Sequence, residues 1–338
     1  MRGIAGLGLD RLRRRLLPAV LAVALVLAAC GGQAAPGGQK VSVGFIVKDL
    51  GNPYFEAMHK AAQAEAQKRN VNLIFEAGKY DGDNATQVSQ IDNLITRQVK
   101  VIAVVPNLSS GIVPAVKRAT NAGIKVMAID TATEPAGATD TFIATDNYKA
   151  GVLNGQWAKA SMAGKPPVLA LLEGTPGSSV NTDRMGGFLQ GFGARQSDAV
   201  SDLITNGEQS KGQTAMENAL TKNPDINLVW TINEPAALGA AAAVQERGLQ
   251  GKVTIVSMDG GCRGIKAVQS GQIATDVMQF PARMAQIAVD DAVTWVNDGK
   301  APPKKVDTGE TLVTTHPQGS VASKDVSFGL ANCWASSS

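Results

Sequence analysis

Several polar side chains stand where apolar runs or Gly-rich turns give way to helical patterns. Asp130 ends VMAID, Asn233 ends LVWTIN, Asp259 ends TIVSMD and Gln279 ends TDVMQ; Arg184 opens a helix after the loop GTPGSSVNTD. Lys48 follows the first apolar run, and Asn52-Pro53-Tyr54-Phe55 come just after it. Carboxylates and amides accept and donate in the plane that a hydroxyl presents, while an Arg guanidinium supplies a fork of donors. Two adjacent aromatics would cover a flat, partly apolar ring, or else pack into the core beneath their helix. A single Asp at a strand end is most often a helix cap, so the argument rests on the set. Together these residue types suit non-covalent capture of a hydroxyl-rich ligand.

Covalent chemistry lacks its usual motifs. The chain has two His, His59 inside a helical pattern and His316. There is no G-x-S-x-G elbow, no G-x-x-x-x-G-K-[ST] phosphate loop, no H-E-x-x-H and no paired C-x-x-C. Gly260-Gly261-Cys262 after Asp259 reads as a tight turn that gives a ligand access to backbone, not as a dinucleotide fingerprint. No metal or cofactor is expected. Absent motifs weaken an enzymatic reading; paired carboxylates such as Asp130 and Asp259 keep a sugar hydrolase as the alternative.

These residues need a frame that brings strand ends together. From Lys40 onward, nine short apolar runs alternate with nine helical patterns, the first pair being 41–47 and 53–69. Such alternation predicts parallel sheets with crossover helices, and nine strands at this length predict two βαβ lobes. Ligands bind beyond the carboxyl ends of strands in such sheets. Asn52 followed by Pro53 is a helix start: Asn caps, and Pro suits the first turn because its missing N–H would have no partner there. Residues 133–146 mix turn residues with a short strand and read as a crossover between lobes.

The first 29 residues read as a secretory signal, not as fold. Five Arg precede a 14-residue apolar run, Leu16–Ala29, too short to span a bilayer comfortably. Leu27-Ala-Ala-Cys30 resembles a bacterial lipobox, which implies cleavage before Cys30 and a lipid on its sulfur. Residues 30–39 then form the anchor and a flexible tether. Removing 1–29 takes away five Arg and Asp10, so the formal charge falls from +3 to about −1. The basicity belongs to the signal, and nucleic acid is not an expected partner. Cys262 and Cys333 remain; in an exported chain they form one disulfide or stay as buried thiols, and the bridge is the expectation. Closing a loop of about 70 residues would stabilise by roughly 4 kcal/mol in the chain-entropy picture.

In order, NPYF (52–55), AID (128–130), ATDN (144–147), NTDRMGGF (181–188), TINEPAALGA (231–240), VSMDG (256–260) and DVMQFP (276–281) resemble the periplasmic sugar-binding proteins of the ribose-binding type. The resemblance runs from about Lys40 to Pro317. It implies two Rossmann-like α/β lobes with parallel sheets, joined by three hinge crossovers, with ligand in the cleft between them. The first lobe would be 40–145 plus 280–308 and the second 146–279 plus 309–335. By position, Asn52 would bond a hydroxyl, Tyr54 and Phe55 would stack on the ring, and Asp130 and Asp259 would accept from hydroxyls. Arg184 would bond the ring oxygen or hydroxyls, Asn233 and Gln279 would complete the cage, and Lys48 is a further candidate. Two departures count against ribose. Thr131 stands where the ribose type has Arg, and no aromatic closes the cage from Asn206-Gly-Glu-Gln-Ser210. TINEPAA and DGGC look most like the fructose-binding branch.

The expected function is capture of a monosaccharide, fructose as the first choice, by a monomeric lipoprotein that hands it to an ABC permease. A chemoreceptor or sensor kinase is a further expected partner. Another pentose, hexose, polyol or autoinducer on the same fold is the alternative. A sugar-responsive repressor would need an N-terminal DNA-reading module, where this chain has a signal and tether.

Overall fold

The computed structural model describes residues 40–334. The signal, lipidated Cys30 and tether expected for 1–39 lie outside the described residues, as does residue 335.

The first lobe begins with β1 (Ser42–Val47), α1 (Pro53–Lys68), β2 (Asn72–Ala77), α2 (Asn84–Thr96), β3 (Val101–Val104), α3 (Val113–Asn121), β4 (Lys125–Ile129) and β5 (Thr141–Ala144). Its central strands are buried on both faces, which is why they read as near-continuous apolar runs. The second lobe runs through α4 (Asn147–Ser161), β6 (Leu169–Glu173), α5 (Ser179–Phe192), β7 (Ser201–Ile204) and α6 (Gln209–Lys222). It continues with β8 (Leu228–Thr231), α7 (Glu234–Glu246), β9 (Thr254–Asp259), α8 (Cys262–Gln269) and β10 (Thr275–Met278). The chain returns to the first lobe for α9 (Pro281–Asp298) and β11 (Lys305–Asp307), then to the second for β12 (Thr311–Thr314) and α10 (Val326–Asn332).

The first sheet has the order β11-β5-β4-β3-β1-β2 and the second β12-β10-β9-β8-β6-β7. In both, the chain steps one way and then back past its first strand, creating a switch point at the carboxyl ends. Apolar clusters cover both faces of each sheet: Phe45, Met58 and Met284 on one side of the first, Ile91, Leu94 and Ile102 on the other. In the second lobe Trp230 and Phe188 lie on one face, Met216 and Val244 on the other.

Three connections cross between the sheets, after β5, after β10 and after β11. The first and third touch: the Thr145 hydroxyl donates to the Gly309 carbonyl at 3.1 Å. The sheets differ from the expected pattern in one respect. β12 pairs antiparallel with β10, so the second sheet is mixed. β11 and β12 are short and rich in Lys, Asp and Thr, and α10 is seven residues; none carries the apolar periodicity that marked the rest.

Candidate binding site

The cleft pocket is built from both lobes. Lys48, Asn52, Tyr54, Phe55 and Asp130 line it from the first, and Arg184, Asn233 and Asp259 from the second.

On the first-lobe side, the Asn52 side-chain Oδ1 caps α1 by accepting from the Tyr54 backbone N–H at 3.0 Å. Its amide group remains to donate into the cleft. Tyr54 and Phe55 do two jobs at once, lining the pocket while belonging to the core cluster under α1. The Tyr54 hydroxyl donates to Asp130 at 2.9 Å, and burial with the nearby Asp130 charge pushes its pKa well up. Phe55 meets the Tyr54 ring edge-on, with centroids 5.3 Å apart. Thr131 is fully buried, does not line the pocket, and donates to the other Asp130 oxygen at 3.1 Å. Its place is behind Asp130, orienting it, and not among the expected ligand contacts. Lys48 pairs with Asp81 at 3.3 Å.

The second-lobe side is a buried charge network. Arg184, 3% exposed, donates from Nε to the Asn147 side chain and from Nη1 to the Ile232 carbonyl, both at 2.8 Å. Nη1 also lies 3.4 Å from Asp259. Gly151 lets this happen: α4 crosses α5 so closely that a Cβ there would collide with the Arg184 carbonyl oxygen. Gln279 is fully buried outside the pocket lining and donates to Asp259 at 2.8 Å. Like Thr131 it orients a carboxylate from behind. Asn233 is engaged at both ends, capping α7 through Ala236 N at 3.1 Å and donating to the Gly207 carbonyl at 3.1 Å. Its role in the pocket is chiefly to shape the wall.

Both strand-end carboxylates have positive φ, +62° at Asp130 and +143° at Asp259. Non-Gly residues sit there at a cost of order 1–3 kcal/mol and persist where their surroundings hold them. Burial pushes Asp259 up to about 6, against the opposing pull of Arg184. Behind it, burial and the Asp259 charge push Glu234 up to about 7, and burial raises Asp276 well above the usual carboxylate range. Glu234 accepts from Gly261 N at 2.8 Å, at the start of α8. Among the described residues no group of three or more His, Cys, Asp or Glu is placed to hold a metal ion.

The lobes also touch each other directly. Thr175 donates to Asp81 at 2.9 Å, Ser179 N to Ser109 Oγ at 2.9 Å, and Ala132 N to Ser179 Oγ at 3.0 Å. Ser178 is buried in the pocket wall, and its hydroxyl has no partner among the described residues. These residues, and Asn147, lacked any sequence signal beyond a Gly/Ser-rich loop and a strand–helix junction. Cys262 and Cys333 are bonded, with Cα atoms 4.9 Å apart, and the following Trp334 reaches the cleft.

Two α/β lobes facing each other across a polar, buried cavity define a class of protein that takes a small ligand between them. The chain belongs to the periplasmic binding protein family, matching the description "Periplasmic binding protein domain" over residues 43–301. It is 31% identical over 255 residues to the ribose import binding protein RbsB of Escherichia coli K12, covering 75% of this chain and 84% of that one. RbsB of Bacillus subtilis 168 is 30% identical over 254 residues, covering 75% and 81%. A solved ABC transporter periplasmic solute-binding protein from Actinobacillus succinogenes 130z, with bound D-allose, superimposes with a TM-score of 0.74 at 28% identity. That match covers 81% of this chain and 98% of the other. These relatives are import binding proteins, not enzymes.

Proposed function

We propose that this protein captures one monosaccharide outside the cytoplasm and delivers it to an ABC import permease. The observation that carries this is the convergence of Tyr54 and Asp130 from one lobe with Arg184 and Asp259 from the other on a single cavity. Carboxylates accept from sugar hydroxyls, Arg184 donates to a ring or hydroxyl oxygen, and the aromatic pair covers an apolar ring face. Names of relatives that bind ribose and allose support the ligand class. The likeness of TINEPAA and DGGC to the fructose-binding branch favours a ketose such as fructose, and the lack of an Arg at position 131 counts against ribose. Because both lobes contribute contacts, ligand shifts the population toward a closed cleft, with motion at the three crossings. The closed form is what the permease reads. Lipidation at Cys30 would keep the protein at the membrane surface.

The test is thermal melting of the purified chain with D-fructose, D-ribose and D-allose, followed by calorimetric titration. A ligand at a hundred times its Kd stabilises by about 2.7 kcal/mol, which is readily seen as a higher Tm. No shift with any of these, nor with a broader panel of pentoses, hexoses and polyols, would sink the reading.

A further inference from the structure

Trp334 touches both halves of the site from the far end of the chain. Its indole N–H donates to the Asp259 carbonyl at 3.0 Å, and its ring meets that of Tyr54 edge-on with centroids 5.4 Å apart. Its own carbonyl accepts from Cys262 N at 3.1 Å. One indole therefore bridges the second-lobe strand end that carries a pocket carboxylate and the first-lobe ring that lines the pocket. It also lines a cavity of about 340 Å³ at the cleft mouth with Asn52, Glu234 and Arg263. The Asp259 backbone needs such support, since its φ of +143° is a conformation that L residues rarely adopt. Trp334 lies beyond α10, outside any helix, and its position depends on a covalent tie. The tie is the preceding residue, Cys333, bonded to Cys262 at the start of α8.

We propose that Trp334, held in place by the Cys262–Cys333 bridge, is a positioning residue for the ligand: it fixes the Asp259 backbone and the Tyr54 ring, and so sets affinity and selectivity. The proposal rests on the sugar reading above.

The experiment is calorimetric titration of wild-type protein, Trp334→Ala, Trp334→Phe, Cys262→Ser/Cys333→Ser and the combination of that pair with Trp334→Ala, with D-fructose, D-ribose and D-allose, alongside melting of each sugar-free protein. Trp334→Ala should weaken the best sugar about tenfold and compress the differences among the three, the scale of a lost hydrogen bond plus a loosened ring. Trp334→Phe keeps the ring against Tyr54 and should recover part of that loss. Removing the bridge should weaken binding in the wild-type background and add little once Trp334 is Ala, because both changes act through one element. Wild-type affinity and selectivity in Trp334→Ala would overturn the proposal, as would additive losses. If Trp334→Ala does not fold, Trp334→Phe and the bridge variant decide: unchanged affinity in both overturns it. A wild-type chain that answers to no sugar would remove the sugar reading and this inference together. A sugar response that survives every variant removes the inference alone.

Discussion

The two walls of the cleft are made in different ways. The first lobe offers aromatic surface, the carboxylate of Asp130, whose oxygens take a Tyr hydroxyl and a Thr hydroxyl, and the Lys48–Asp81 pair beside it. The second lobe offers charge: Arg184 and Asp259 in contact, with Glu234 and Asp276 packed behind them. A neutral hydrogen bond contributes about 1 kcal/mol, whereas breaking a buried ion pair costs about 3–5 kcal/mol because the survivor is left without a partner. The same fold, used twice, thus yields a first wall of rings and hydrogen bonds beside the Lys48–Asp81 pair, and a second wall whose ion pair sits among further buried carboxylates, where substitution is expected to cost more.

The largest expected effect is Arg184→Ala. It strands Asp259 beside two further buried carboxylates and should cost about 3–5 kcal/mol of stability, read by urea unfolding, as well as abolishing sugar binding. A variant that unfolds like wild type would break the contrast between the walls. Asp259→Ala comes next, with sugar affinity falling about a hundredfold in calorimetry as a charged acceptor is lost. Affinity within twofold of wild type would remove Asp259 from the site.

The pH profile sharpens the same contrast. Asp259 titrates near 6 in the fold against 3.8 as its ordinary value, so the folded state holds more protons between those two values. Its contribution to the stability of the sugar-free protein therefore falls as pH rises from about 4 to about 6, then levels off. A sugar hydroxyl donates to the ionised form, so affinity should move the other way, increasing from about pH 5 to about pH 7. Asp259→Asn should flatten the affinity slope and lessen the stability slope, the remainder belonging to Glu234, pushed up to about 7; an affinity slope that persists would assign it elsewhere.

On the first-lobe side, Tyr54→Phe removes the hydroxyl that donates to the Asp130 carboxylate and should weaken sugar about tenfold, the low end for a hydrogen bond to a charged group. The smallest effect belongs to Thr175→Ala, which removes a contact between the lobes outside the cage. It should speed sugar release by about two- to threefold in stopped-flow measurements, with little change in melting. An effect as large as that of Arg184→Ala would mean that the lobe contact, not the charge network, governs capture.

Much of the architecture was legible because buried parallel strands and amphipathic helices write strong periodic patterns. Val43, Phe45 and Ile46 announce β1 by their apolar run, and Asn52-Pro53 announces α1 by the chemistry of its cap. β11 and β12 left no such pattern, since edge strands are held by backbone pairing that any residue can make. The start of α5 at Ser179, ahead of Arg184, where the sequence had the helix opening, left no mark for a different reason: no side chain caps it. At the site, strand-end position alone singled out Asp130 and Asp259, but could not separate a residue facing the pocket from one behind it. Thr131 and Gln279 are as polar as their neighbours and stand just past strand ends, yet their side chains bond the Asp130 and Asp259 carboxylates from outside the pocket lining.

From the sequence alone came the repeated strand–helix order, the strand-end acids and amides, and the aromatic pair at a helix start, because each is a local preference recorded within a few residues. Tertiary structure alone decided that Asn147 and Ile232 grip Arg184, that Thr175 reaches Asp81 across the cleft, and that Trp334 meets Tyr54. Those contacts join residues from 37 to 94 positions apart along the chain, and in the case of Trp334 nearly its whole length. No local preference encodes such pairs: the grip on Arg184 needs the second lobe folded, and the Asp81 and Trp334 contacts need the two lobes set face to face.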